Sequence, residues 1–407
     1  MAGYRELLRT PGVGRIMAAQ LTARFPNGMT SLAVLLHIEH VTGSYGAAGL
    51  VLAATSIGQA VAGPVTSRWM GRWGMRRVIS IALAVCVLAI LSIALFVLPV
   101  PLYMVLGLIA GLSTPPVQSA VRTIYPKMVT AKQLTPLYSL DASLQEVIWI
   151  LAPVVITFVA TQVGTVPALL VVVVVLVGGG TWFLFSPELG RVRIPPSRRG
   201  IGRVLAKPPV LLATVVGFLL IGACAAVEAG VVATFDHGGL EAGLVLAVFA
   251  FGSLGGGLAL GHLPMGRWSM ARRLAIVTVG LSLTMLSLDV WWLGGTLVLA
   301  GIGIAPALAV IFAMTSASVK FSETAEAYGW VGTGQLIGAA TGSAIAGFLI
   351  DDIGPSGAYI AGTGFAAVGL LVAVVFVRWF PDLRHRDVSP IPDTEPISTI
   401  TGPIARP

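Results

Sequence analysis

Between Val78 and Leu98 the chain reads "VISIALAVCVLAILSIALFVL", and no residue of that run is charged. About 20 residues of helix, at a rise of about 1.5 Å each, cover roughly 30 Å, the thickness of a bilayer's hydrocarbon core. Many such runs follow one another. Only 10% of the 407 residues are charged against 56% hydrophobic, and the mean hydropathy is +0.92, far too little charge to coat a soluble domain of this size. The runs are apolar on every face rather than alternating, which excludes a β-barrel. The fold class expected is an all-α polytopic membrane protein.

Twelve spans can be drawn, at about 13–37, 46–66, 78–98, 102–124, 137–161 and 167–187, then 210–235, 242–262, 273–291, 295–318, 328–350 and 357–379. The segment before the first span carries no small-residue cleavage site and reads as a lead-in, with Thr10 capping a helix and Pro11 in its first turn. Numbering the loops alternately puts 24 of the 25 basic residues on one side. They include Arg68, Arg72, Arg76 and Arg77 in one loop, Arg122, Lys127 and Lys132 in another, and Arg267, Arg272 and Arg273 in a third. Positive loops stay in the cytoplasm, so a multi-pass protein of the cytoplasmic membrane with both termini inside is expected. That placement also explains the net charge of +8 without nucleic acid. Cys86 and Cys224 both fall inside spans, so neither a disulfide nor a thiolate metal site is expected, and no cofactor.

The chain repeats itself. "AGLVLA" from Ala48 recurs from Ala242, an offset of 194. "MGRW" from Met70 recurs from Met265, and the paired arginines at Arg76 recur at Arg272. A fainter match joins "GLSTPP" from Gly111 to "GIGIAP" from Gly301. Each copy carries a span, a basic loop and the following spans in one order, as two parallel six-helix repeats would. The Pro- and Arg-rich "PELGRVRIPPSRRGIGRVLAKPP" lies between them. The organisation expected is an N-terminal bundle over 1–187, a cytoplasmic linker over 188–208, a C-terminal bundle over 209–380 and a disordered cytoplasmic tail over 381–407.

In "SRWMGRWGMRR" (Ser67 to Arg77) and its echo after Met265 the chain resembles the major facilitator superfamily of secondary transporters, with Arg72, Gly74, Arg76 and Arg77 at matching positions. The family usually has an aspartate at the place of Gly71, and Gly107 stands about where its helix-4 arginine falls. The resemblance implies two six-helix bundles that rock around a midplane site, with helices 1 and 7 bordering the cavity. It makes Arg68, Arg72, Gly74, Arg76, Arg77, Arg267, Arg272 and Arg273 the cytoplasmic gating loops. Topology anchoring alone is the plainer role for any one of these arginines.

A charge deep in a span costs several kcal/mol and faces a cavity or a partner. Arg24 lies about eight residues beyond Ile16, and the "RFPNG" stretch containing Asn27 reads as a break in the first span. The fifth span opens at Thr135 and Pro136, with Glu146 ten residues on; Asp141 and Gln145 share a face from which Glu146 is turned by about 100°. The expectation is an Arg24–Glu146 pair, either a lock between helices or a proton- or substrate-binding pair. Glu228, the one acid within the body of the seventh and eighth spans, is expected to take a proton or cation, or else to be solvated in a wide outer vestibule. Substrate and proton coupling are thus assigned to Arg24, Asn27, Asp141, Gln145, Glu146 and Glu228. Asp236, Glu241, Asp351 and Asp352 are expected in external loops, and Glu323 and Glu326 at a helix start.

The five histidines are scattered, and no nucleophile elbow or phosphate loop is present, so no enzyme is expected. Arginine outnumbers lysine 21 to 4, which points to a GC-rich bacterial genome. Compact bacterial members of the resembled family are often exporters. With an apolar cavity, this implies proton-coupled efflux of a small amphipathic solute by a monomer in the lipid bilayer. Uptake of a small polar metabolite and a non-transporting scaffold are the alternatives.

Overall fold

The computed structural model describes residues 2–197, 200–235, 240–261, 263–384 and 387–393; Asp236 lies outside them. A short α1 (Ala2–Arg9) precedes a first span made of α2 (Val13–Arg24) and α3 (Pro26–Thr42). Pro26 has no N–H to donate, so the helix is interrupted there. Phe25 nonetheless keeps helical dihedrals (φ −53°, ψ −39°), and the break is a kink rather than a loop. There follow α4 (Tyr45–Trp73), α5 (Met75–Leu95), α6 (Val100–Leu112), α7 (Val117–Ile124), α8 (Ala131–Gln162), α9 (Thr165–Phe185) and the short α10 (Pro187–Arg191). The second half comprises α11 (Pro208–Thr234), α12 (Leu240–Leu260), α13 (Ser269–Leu283), α14 (Val290–Ser318), α15 (Thr324–Ile353) and α16 (Ser356–Val375).

Among the described residues, 11 helical stretches are long and apolar enough to cross a membrane, with α6 and α7 counted as one. The kinked α2–α3 run is the further span, too divided to qualify as either piece. Pro115 and Pro116 separate α6 from α7. Next to the prolines, hydroxyls add to the carbonyl pairing at the end of α6, Ser113 Oγ donating to Ile109 O (2.6 Å) and Thr114 Oγ1 to Ala110 O (3.2 Å), while Gly111 O accepts from Thr114 N–H (3.1 Å). The fifth span begins earlier than its Thr-Pro pair suggests. Thr130 and Gln133 form a capping box, so α8 starts at Ala131 and Pro136 sits inside it.

The repeat is visible as repeated packing. Gly111 on α6 lies against Thr55 O and Gln59 N of α4; Gly301 on α14 lies against Phe249 O and Ser253 N of α12. Thr55 to Phe249 and Gln59 to Ser253 are the same 194-residue step that separates the two "AGLVLA" copies. No side chain fits at either glycine, because the neighbouring backbone already fills the space.

Helix alternation puts α1, the segment after α16, the two arginine phrases and the described part of the central connector on one face, called here the basic face. Two seams close the halves together beside it. In one, Gly63 of α4 meets Gly329 of α15 and Thr333 Oγ1 donates to Ala60 O (2.7 Å). In the other, Ser139 of α8 donates to Gly257 O of α12 (2.7 Å). Arg68 on α4 reaches Glu326 on α15 (2.9 Å), and Glu326 also accepts from the connector's Gly202 N–H (2.7 Å). Lys207 pairs with Glu323 (2.6 Å) and Arg15 with Glu188. All these contacts lie in the basic-face portions of their helices. Towards the opposite face an open cavity of about 690 Å3 runs along α11, bounded by Leu246 of α12 and by Ser343 and Ile350 of α15.

Part of the tail expected to be disordered from Pro381 is packed. Leu383 N–H donates to Met265 O (2.8 Å), Ile391 bridges Val319 and Phe321, and Ser322 Oγ donates to Asp393 (2.6 Å). Leu383 and Val388 are buried, which gives the segment the apolar anchors its polar composition conceals. Arg384, hydrogen-bonded to Asp382, holds that half-buried carboxyl down at about 2.

Candidate functional site

Three helices each contribute two polar residues four apart, and so on one helical face: Gln20 and Arg24 on α2, Gln118 and Arg122 on α7, Asp141 and Gln145 on α8. They converge. Arg24 Nη1 donates to Asp141 Oδ1 (3.0 Å) and to Gln20 Oε1 (2.8 Å), and Gln20 Nε2 donates to Asp141 Oδ1 (3.1 Å). Arg122 Nε donates to the other carboxylate oxygen, Oδ2, at 2.8 Å. Arg24 Nη2 donates to Gln118 Oε1 (3.3 Å) and to Gln145 Oε1, which also accepts from Arg122 Nη2 (3.4 Å). Arg122 and Asp141 have no exposed surface and Arg24 almost none. The Arg122 guanidinium lies 3.4 Å from the centre of the Phe312 ring on α14, a cation–π contact that crosses between the halves.

This arrangement corrects two expectations. Arg24 does not pair with Glu146; its acid is Asp141. Counted from the true starts of their helices, Arg24 is eleven residues in from Val13 and Asp141 ten from Ala131, so the two stand at one depth. Glu146 is more than a turn further along and faces elsewhere. Arg122, grouped with the loop cations, is a buried member of the cluster. Arg273 is likewise buried, within α13, and its Nη1 has no acceptor. Gln20 and Gln118 escaped notice because a search for charges buried in the spans passes over neutral amides. Their spacing of four from an arginine was the available signal.

The other assigned residues fall as follows. Asn27 is exposed on α3 and takes no part in the network. Gln145 and Gln118 are half-buried. Glu146, half-buried, and Glu228, exposed on α11, approach closely enough to interact electrostatically, with the Cys224 thiol beside both. Neither carboxylate has a basic side chain within ion-pair distance among the described residues. Arg72, Arg77, Arg267 and Arg272 are exposed on the basic face, and Arg76 donates to Ser186 O (3.4 Å). Gly74 joins α4 to α5 with φ +87°, a conformation that an L side chain would strain.

The family model of the Major Facilitator Superfamily matches residues 16–296 and 231–406. The chain belongs to that superfamily. It is accordingly a secondary transporter and not an enzyme, a multi-pass membrane protein that binds a small molecule within the bilayer. Solved structures of the family share its fold. The human organic anion transporter MFSD10 (TETRAN) superposes with a TM-score of 0.69 at 13% identity, over 89% of this chain and 98% of its own. A bacterial homologue of the iron transporter ferroportin, in its outward-facing state, gives 0.72 at 14% identity, over 90% and 98%. The same homologue soaked with iron gives 0.69. No curated protein sequence matches the chain.

Proposed function

We propose that the chain exports a small amphipathic solute in exchange for protons, by alternating access, as a monomer whose pathway lies between the bundles 1–187 and 209–380. Residues 188–208 join the bundles, and 381–407 form a cytoplasmic tail. The concentration of basic residues on one face makes that face cytoplasmic. The conformation is then outward-open, sealed inside by the Gly63–Gly329 and Ser139–Gly257 seams.

The observation that carries this reading is the approach of Glu146 to Glu228, which lines the open cavity, with no cation in ion-pair distance of either among the described residues. Two such carboxylates are tolerated while water reaches them. Closing the cavity around both charges costs several kcal/mol through desolvation and mutual repulsion. Protons arriving from outside remove that penalty, so the unprotonated protein stays open outward and the protonated protein can close. Opening on the cytoplasmic side then releases the protons and admits the solute. The cavity lining of Ala225, Val232, Leu246 and Ile350 suits an apolar body.

The test is solute flux in proteoliposomes under an imposed pH gradient. Wild-type protein should drive solute against the proton flow, whereas Glu228→Gln and Glu146→Gln should retain only downhill exchange. Gradient-driven transport by Glu228→Gln at the wild-type rate refutes the proton role. Solute moving with the protons would replace export by uptake.

A further inference from the structure

The buried cluster is unbalanced. It holds two guanidinium groups and one carboxylate, a net charge of one, with Arg122 and Asp141 fully out of contact with solvent. Asp141 spends both oxygens on the pair. The remaining donors are met by amide oxygens, Gln118 and Gln145 for Arg24 Nη2 and Gln145 again for Arg122 Nη2. Amides supply acceptors without charge, and Arg122 Nη1 has no acceptor among the described residues. The nearest unpaired acids do not make up the deficit. Among the described titratable groups Asp141, Arg122 and the buried Tyr125 act on Arg24, and neither Glu146 nor Glu228 does.

We infer that this arginine pair is the head-group site of the transported solute, and that the solute is an amphipathic monoanion whose carboxylate takes the place of the Gln145 amide oxygen. Gln145 and Gln118 are the half-buried members of the cluster, the ones an entering molecule meets. Gln145 Oε1 already sits where one acceptor can serve both guanidinium groups. A carboxylate there keeps those hydrogen bonds, adds its second oxygen for the free Arg122 donor, and supplies the missing charge; guanidinium and carboxylate match each other's geometry. The apolar body of the solute leaves the cluster on the side of the half-buried Gln118 and Gln145. This deepens the transport reading and rests on it, since the cluster is taken to lie on the solute pathway.

The test uses the purified full-length protein and three probes of one shape: 2-naphthoate, its neutral amide and a naphthylmethylammonium cation. Saturable binding, read as a rise in thermal stability and a change in tryptophan fluorescence, is expected for naphthoate, with at least a tenfold preference over the other two. Gln145→Glu places a fixed carboxylate at the arginines. It should raise the melting temperature without ligand and weaken naphthoate binding at least tenfold; Gln145→Ala should leave the binding preference intact. Because Gln145→Glu adds a favourable partner, its result does not depend on tolerating a destabilised core. The inference is overturned if the amide or the cation binds as well as naphthoate, if none of the three binds, or if Gln145→Glu leaves naphthoate binding within twofold. Naphthoate binding without gradient-driven flux would keep the anion site and remove the transport reading. Proton-driven flux of another solute with no naphthoate binding would do the reverse.

Discussion

Gly329 is where a single methyl group should move the conformational equilibrium. A Cβ at this position would stand 2.6 Å from the Gly63 carbonyl oxygen, about 0.8 Å inside the 3.4 Å at which ordinary contact begins. The obstacle is backbone on both sides, with Pro64 Cα at 2.9 Å, and backbone cannot rotate away as a side chain can. Overpacking of this kind costs about 1–3 kcal/mol. The cost falls only on the conformation in which the α4–α15 seam is closed. Gly329→Ala should therefore shift the ratio of the two conformations by about 5- to 150-fold away from the one described.

Two thiols report that ratio in detergent solution. A cysteine at Val232, 39% exposed in the cavity wall, is open to a maleimide in the conformation described. A cysteine at Ser67, 1% exposed beneath the closed basic face, becomes reachable only when that face opens; its hydroxyl has no hydrogen-bond partner among the described residues, so the exchange is mild. Cys86 and Cys224 are replaced by serine to silence them. The Val232→Cys-to-Ser67→Cys labelling ratio should fall by the stated factor in Gly329→Ala. Gly332 lies on the same helix, three residues on, and a methyl there meets nothing within 4 Å, so Gly332→Ala should keep the parental ratio. If the two variants agree within about twofold, the seam is not the inner gate.

Two further outcomes follow from the cluster and the tail. Asp141→Asn leaves two buried guanidinium groups without a counter-charge and should cost about 3–5 kcal/mol, seen as a large drop in melting temperature, whereas Glu146→Gln, with no cation to lose, should be near neutral; the opposite order would dismantle the assigned pairing. Truncation after Pro381 removes the buried Leu383 and Val388 and the backbone bonds to Met265, Val319 and Phe321, and should lower the melting temperature by several degrees, with an unchanged value showing that the strap contributes nothing.

The spans were legible because the hydrocarbon core imposes length and polarity on a helix regardless of what it packs against. The boundaries drawn from hydropathy mostly lie within about five residues of the observed helix ends. The doubling was legible for a similar reason: Gly111 and Gly301 are needed wherever the fourth helix of a half crosses its second. What the sequence left hidden is depth. Counting from Pro136 instead of Ala131 moved the whole fifth span by more than a turn, enough to offer Glu146 to Arg24 in place of Asp141. Arg122 was hidden by its neighbours. Two prolines cut its short helix off from α6, and nearby Lys127 made the stretch read as a loop, although α7 is as buried as any core helix. The order in the tail rests on two apolar side chains among prolines and charges, a signal below what composition can resolve.

The placement of these groups concentrates the mechanism on α8. Its Ser139 closes the seam with Gly257, its Asp141 and Gln145 hold the arginine pair, and its Glu146 meets Glu228 of the other half. All four lie between Pro136 and Pro153, the two points in the helix where a backbone hydrogen bond is missing and bending is least costly. The segment between them can move as one body. On the proposed reading, seam, anion site and proton site then cannot change independently: a proton on Glu146 would act on the helix that also carries Gln145 at the arginine pair and Ser139 at the seam. Coupling over such a distance needs one rigid element with two positions rather than a chain of contacts, and the run of about four turns of helix between two prolines is that element.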